Sequence, residues 1–343
     1  MLCAGTALVA ARSTTALGVQ SAAGAHFPAP LEKFLVESVK LTPLERSTLV
    51  ANAPVSKLLD GDPSREVSVF GAVWIEAPTS AYVALVKDIE SFEKGGAFRV
   101  TRRVSSPPRL DDFGAMTLPV DDVADLKNCR VGACELKLSQ ETLDRVRRTL
   151  DWKKPTIQQD AEKLARQVAF EYVTGYVEGG NDRLAVYRDG GRPTFVATEF
   201  RTLIDGIPAL GEFLPEMNGY LLDYPKATLA NATSFLYWQE AQFGLKPTIR
   251  INHCVIQERS DSVVVANKLL YASHYFWTAL ELRVLVPDPS HGRGFWFVSV
   301  NRSRSDGLSG FVGRIIRGRV QTEAQKGITS ALAATKSALE SRK

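Results

Sequence analysis

The chain has little of what metal and nucleophile chemistry needs. Of its 343 residues only four are cysteine, four histidine and three methionine. The histidines, His26, His253, His274 and His291, are scattered, and no second close Cys or His pair accompanies Cys129 and Cys134, so no metal site is expected. No run approaches the roughly 18 apolar residues of a spanning helix. With 42 basic and 38 acidic residues the net charge is +4, too small and too dispersed to make nucleic acid the expected partner. Also lacking are a Gly-x-Ser-x-Gly elbow, a His-Glu-x-x-His pair, a phosphate-cradling loop and a dinucleotide fingerprint, and no cofactor is expected. Ser91-Phe-Glu-Lys94 has Ser-x-x-Lys spacing without its partner motifs and is given no role.

What is present is an ordinary globular composition, 45% hydrophobic and 23% charged, long enough to bury a large core without staples. Residues 1–25 carry one charge, Arg12, and end Ala22-Ala23-Gly24-Ala25, which reads as an export signal although no Lys or Arg precedes its apolar stretch. The expected location is therefore periplasmic or secreted; without a signal in that segment it would be cytoplasmic. An oxidising compartment favours a local disulfide between Cys129 and Cys134, with Gly132 easing the loop. Cys254, in an apolar strand pattern, is expected to be buried and inert.

Residues 26–64 read as an N-terminal helical segment with breaks at Pro43 and Pro54. Arg65–Pro78 is β-rich, with Val67, Val69, Gly71, Val73 and Ile75 on one face, and Thr79 or Ser80 caps a helix running to about Lys94. A strand at Phe98–Val104 and a short extended run ending at Pro119 follow. Over 120–235 helical spacing dominates, from Leu143, Val146 and Leu150 to Ile157, Leu164, Val168 and Tyr172. Gly179-Gly180 stops the longest helix, and the apolar faces of this insertion must pack on the sheet or its opening. Four β-rich runs then form a meander, Pro247–Glu258, Ser262–Tyr271, Tyr275–Pro287 and Gly294–Asn301. A long helix ends the chain, with Phe311, Ile315 and Gly318 in its first half and Ala324, Ile328, Leu332 and Leu339 continuing one face. Its glycines Gly310, Gly313 and Gly318 are expected to allow close approach to the sheet. The fold class is α+β, a curved antiparallel sheet gripping a long C-terminal helix, with a mostly helical insertion.

This order of elements, a strand ending Ile75-Glu-Ala-Pro78 followed by a short helix, then a meander and one long terminal helix, resembles the START-like helix-grip superfamily (SRPBCC) of lipid-transfer proteins and polyketide cyclases. The resemblance divides a grip domain into 65–119 and 236–343 around the insertion. The segments Arg65–Ala72, Cys129–Leu138, Tyr237–Glu240 and Asn301–Asp306 are also similar to an uncharacterised family of exported bacterial proteins, which implies no activity.

A helix-grip fold implies a cavity between sheet and helix, suited to a hydrophobic small molecule or lipid. Trp74, Phe98, Tyr271, Tyr275, Trp277, Phe295 and Trp296 lie in the predicted strands; about half would face that cavity, or all would fill a solid core. Arg302 and Arg304, with Arg314, Arg317 and Arg319, are candidates for an anionic lipid head or an anionic membrane surface. The alternative is a solvated basic face with Arg302 or Arg304 paired to Asp306. An enzyme, a cyclase, isomerase or hydrolase, would need His253 and His274 with Glu240 or Asp306 in one pocket; singly, each histidine reads as structural. A third class, an envelope interaction protein, would expose a large apolar patch on 120–235.

Overall fold

The computed structural model describes residues 27–242, 246–308 and 310–341. The expected export signal, and His26, lie outside the described residues.

The N-terminal segment contains α1 (Ala29–Lys33), α2 (Pro43–Val50) and, within the stretch read as helical, strand β1 (Val55–Leu58). Pro43 opens α2 instead of breaking a helix. It occupies the first turn, where no N–H is missed, behind a reciprocal cap in which Glu45 N–H donates to Thr42 Oγ1 (3.2 Å) and Thr42 N–H to Glu45 Oε2 (2.7 Å). Next come β2 (Glu66–Ile75), α3 (Thr79–Lys87), α4 (Ile89–Phe92) and β3 (Phe98–Arg103). The helix expected from 79 to 94 is thus broken at Asp88, and Pro78 occupies its cap position without a side-chain hydrogen bond from Thr79 or Ser80. The run read as extended before Pro119 is a single 3-10 turn, Leu110–Phe113.

The segment 120–235 carries α5 (Val120–Leu126), α6 (Gln140–Thr149), α7 (Ile157–Gly179), a ribbon of β4 (Val186–Tyr187) and β5 (Thr194–Phe195), then α8 (Val196–Asp205), α9 (Pro208–Phe213) and α10 (Pro215–Asp223). Its last residues already belong to β6 (Ala232–Ala241), which polar Thr233 and Ser234 disguise at its start. The meander is β7 (Thr248–Glu258), β8 (Val263–Ala272), β9 (Phe276–Pro287) and β10 (Phe295–Ser305), followed by α11 (Gly310–Glu340).

Eight strands form one antiparallel sheet in the order β1-β2-β10-β9-β8-β7-β6-β3. The first long strand closes against the last, so β2 and β10 pair in full from Ile75↔Phe295 to Glu66↔Arg304. Every residue of β2 is buried, because both faces of the sheet are covered. On one face, here the grip face, Val73, Ile75, Phe295, Phe297, Leu285, Val265 and Cys254 pack with α3 and with Leu332 and Leu339 of α11. On the back face Phe70, Trp74 and Trp296 meet Phe27, Leu31 and Leu35, while α8 to α10 cover Val255, Val264, Leu280 and Leu282. The other insertion helices pack on Trp238, Ile249, Ile251 and Leu270. The insertion therefore lies on the back of the sheet, away from α11.

The close approach expected from glycines in α11 comes instead from a glycine in the sheet. A Cβ at Gly71 would sit 2.9 Å from both Ile328 and Leu332, two of the buried anchors of α11, whereas one at Gly318 would meet nothing within 4 Å. Gly313 is tight against the turn at Gly307 and Leu308, not against a strand. Ile315 is 54% exposed, so the first half of α11 does not share the sheet-facing stripe of Ile328, Leu332 and Leu339. The side chain of Phe311 lies outside the described residues.

Cys129 and Cys134 form a disulfide that closes the loop after α5, and Gly132 within it has φ +83°. Cys254 is buried, and burial pushes its thiol up to about 12, so it is not a reactive thiolate. No described helix is long and apolar enough to cross a membrane.

Gly71→Val is expected to push Ile328 and Leu332 off the strand and to destabilise the protein by about 1–3 kcal/mol, the usual cost of overpacking. An unchanged denaturant midpoint would show that α11 does not depend on this contact.

Candidate functional site

Between the grip face and the second half of α11 the packing stops. A cleft of about 830 Å³ opens there, continuing into a hollow of about 280 Å³ with which it shares Asn301, Gly327 and Ile328. The cause lies in the helix sequence. Gly327, Ala331, Ala334 and Ala338, with Ser330 and Thr335, recur at helical spacing and line the cleft without reaching across it. Its other wall is the stretch from Tyr82 through Phe92 and Lys94 to Phe98, where Gly95 and Gly96 turn with φ +89° and +60°.

The floor is polar. Period two places Glu281 and Arg283 of β9, Ser299 and Asn301 of β10, and Arg250 and Asn252 of β7 on the grip face, the face that Leu285, Phe297 and Cys254 of the same strands keep apolar further along. Arg283 donates to Glu281 Oε2 at 2.8 Å and Arg250 to Glu281 Oε1 at 3.4 Å, so two guanidinium groups share one carboxylate. Burial alone would raise Glu281, but Arg283 and Arg250 outweigh it and hold this carboxyl below its ordinary range. Burial also works against Arg283, and the phenol and carboxyl groups around it, Tyr82 and Glu281 foremost, nevertheless keep it firmly protonated. Beside this triad Glu93 accepts from Gln239, which also donates to Thr101 Oγ1 at 3.3 Å and accepts from Asn252 Nδ2 at 3.4 Å. Burial pushes the Glu93 carboxyl up to about 6, with Arg283 only partly offsetting it. The site is an open cleft with an apolar wall of Phe92, Phe297, Ile328 and Leu332 and a charged floor in which Arg283 and Arg250 face Glu281 and Glu93.

Of the residues singled out from the sequence, Phe98 lines this cleft. Trp74 and Trp296 are on the back face, 5.0 Å apart centre to centre, and Trp296 Nε1 donates to Asp288 at 3.0 Å. Tyr271 packs edge-on to Tyr172 and Tyr187 under the insertion. The hydroxyl of Tyr275 accepts from Lys246 N–H at 2.7 Å, and Trp277 belongs to the insertion core with Arg65 over its ring. Phe295 faces α3 in the grip-face core.

Arg302 and Arg304 do not form a solvated face, nor do they pair with Asp306. Arg302 borders the smaller hollow, but its guanidinium turns to the back face, to Glu66 and the Gly206 carbonyl. Arg304 is held by Glu66 and, at 2.7 Å, by Glu199 of α8. Both cations are spent in a buried network that ties α8 to β2 and β10. Asp306 instead accepts from the buried Lys137 at 2.7 Å, a lysine shared with Asp189.

The four acid–base candidates are not gathered in one pocket. His274 Nε2 faces Asp122 at 3.0 Å and its Nδ1 faces the Glu135 carbonyl at 3.1 Å, which ties α5 to the β8–β9 turn. His253 Nδ1 lies 3.0 Å from the Tyr176 hydroxyl, and burial, reinforced by Lys268, lowers it to about 3. His253 opposes Leu236, and Glu240 opposes Ile249, four positions away along the pair and so about 13 Å distant. Glu240 is engaged by Arg99 at 2.8 Å. Among the described residues no three His, Cys, Asp or Glu side chains gather as metal ligands.

Sequence reasoning missed Arg250, Glu281, Arg283 and Asn301. The available signal was charge or amide at alternate positions inside an apolar strand, together with the spacing of small residues in α11. No protein-family model matches the chain, and no curated protein is significantly similar to it.

Glu93 sets a pH dependence. With 4.5 as its ordinary value and about 6 in the fold, the folded protein binds the proton more tightly between these values, so stability falls as pH rises through that window. Allowing for solvent in the cleft, the loss is about 1 kcal/mol at neutral pH. Denaturant midpoints at pH 5 and pH 7 are expected to converge in Glu93→Gln; an unchanged gap would assign the dependence to another group.

Proposed function

We propose that the protein binds an amphipathic small molecule or lipid in the cleft between the sheet and α11, and carries it outside the cytoplasm. The observation that supports this most is the cleft itself, held open by the small residues of α11 above a floor where Arg283 and Arg250 share Glu281. An apolar body would lie along Phe92, Phe297 and Leu332, and a polar or anionic end would meet Arg283, Ser299 and Asn301. The likeness of element order to the helix-grip superfamily is consistent with this reading but rests on topology, which does not by itself assign a function. The Cys129–Cys134 disulfide is compatible with an exported protein.

An anionic membrane surface is the partner we propose for loading and release. In the first half of α11 Ile315, Ile316 and Val320 are exposed among Arg314 and Arg319, a combination suited to the interface of an anionic bilayer. The enzyme reading on His253 and His274 has lost its premise, since these side chains have separate partners. The interaction-protein reading has little support, because the large apolar side chains that the insertion exposes are Val120, Val131 and Phe195.

Native mass spectrometry with organic extraction tests the binding reading on protein purified without added lipid. The expected result is a co-purifying amphiphile that is lost in Ala331→Trp, which fills the cleft, with the melting temperature kept. An empty wild-type protein that also takes up no fluorescent fatty-acid probe would overturn it. Flotation with anionic vesicles is expected to fall several-fold in Ile315→Ser/Ile316→Ser, and equal flotation with neutral vesicles would remove the proposed membrane step.

A further inference from the structure

The back face of the sheet has two covers from distant parts of the chain, and a gap remains between them. α1 and Phe34 lie on the β2 and β10 side, while α8 to α10 lie on the β7 to β9 side. Between them is a trough of about 570 Å³, within the roughly 300–1,000 Å³ of small-molecule sites. Its floor is Leu282, Val284 and Val286 of β9 beside Val298 and Val300 of β10, paired at Leu282↔Val300 and Val284↔Val298. Leu280 and Leu282 on this face are buried, but Val284 and Val286 stay partly exposed, because neither cover closes over them. The floor is two strands, about 5 Å, across and about 14 Å long from Leu282 to Val286, the proportions of one chain and not of a ring system.

The covers touch at one place. Phe34 and Phe213 of α9 meet edge to face with ring centres 6.2 Å apart, and beside them Lys33 Nζ donates to Glu212 Oε1 at 2.6 Å. These two rim charges are thereby matched on each other. Leu31, Ile207 and Leu210 complete an aliphatic wall. A buried water needs roughly two to four polar partners, and these side chains supply none, so the space suits hydrocarbon. The polar end is the β7–β8 turn. Val263 pairs with Leu285, which sets Arg259, Ser260 and Asp261 at the Pro287 end of the floor. Arg259 donates through Nε to Asp261 at 3.3 Å, its only side-chain partner among the described residues, so the fork of its two terminal nitrogens is uncommitted.

We infer that this trough is a second binding site, separate from the cleft across the sheet, and that it takes a linear fatty acid with its chain on the valine floor and its carboxylate on Arg259. The two terminal nitrogens of Arg259 match the two oxygens of a carboxylate, and Ser260 stands beside them. Asp261 restricts the charge of the head. The hydrogen bond from Ser262 holds its carboxyl below the ordinary range, so it stays ionised next to the bound head and favours one negative charge over the two of a phosphate. The aromatic pair Phe34 and Phe213 covers the chain. The site uses no residue of the cleft, so it stands whether or not the cleft carries a ligand.

Photolabelling locates the site on the full chain, using dodecanoate with a diazirine near its methyl end, followed by peptide mapping. Label is expected on the peptides of Leu31–Phe34 and Ile207–Leu214. It is expected to persist in Ala331→Trp, where the cleft is filled, and to be lost in Ala209→Trp, which fills the trough, with the melting temperature kept. Label on the folded wild type confined to the cleft peptides, Phe92–Phe98 and Gly327–Ala338, would overturn the inference and leave the cleft reading standing. Label confined to the trough peptides would support it while the cleft reading failed, and no specific label at all would overturn it without any variant having to fold. Arg259→Gln is expected to lower labelling by dodecanoate several-fold and to leave labelling by the matching dodecanol probe unchanged. Equal labelling of this variant and the wild type by dodecanoate would overturn the assignment of the head to Arg259.

Discussion

The seating of Ile328 and Leu332 on Gly71 is the contact on which the rest of the grip face depends. It brings α11 as near to the seam of β2 and β10 as two backbones and one layer of methyl groups allow. From that fixed point the helix continues over the sheet with glycine, alanine and serine on the side facing α4 and the Gly95-Gly96 turn, so the cleft opens there and not elsewhere. A larger side chain at Gly71 or at Ala331 changes the same geometry from opposite ends.

The second constraint is that the sheet is covered on both faces. An antiparallel sheet with one wet face would alternate cleanly between apolar and polar residues, but β2 and most of the meander are buried throughout. Polar groups that remain inside must then be paired. The structure meets this with separate networks: Glu66, Arg302 and Arg304 with Glu199 on the back, Asp122 with His274 at one end, and Arg250, Glu281 and Arg283 on the grip face. The first two are closed by protein partners on every side. The third, which Glu93 joins, borders open space, which is why it and not the others marks the candidate site.

Charge density in the sequence singles out arginines whose guanidinium groups turn away from the cleft. Arg302 and Arg304 stand among several neighbours of like charge near Asp306, yet period two carries them to the back face, where Glu66 and Glu199 arrive from distant parts of the chain. Arg283 is isolated in its strand and drew no attention. Aromatic content misled in the same way: Trp74, Trp296 and Trp277 mark strands well but sit on the packed back face, since large rings fill cores more often than they line open space.

The sequence by itself determined most of the long elements, the meander, the terminal helix, the helical insertion and the local disulfide, because periodicity, turn residues and a five-residue cysteine spacing act over short stretches of chain. Helix ends and first strands were less legible: β1 lies in a segment whose prolines suggested breaks, and the start of β6 is polar. Only the tertiary structure decided which face of each strand meets α11, where the insertion packs, and which buried charges find partners. Those outcomes depend on residues far apart in sequence, such as Lys268 and Asn181 or Arg250 and Glu281, and no local pattern records which distant side chain completes a pair.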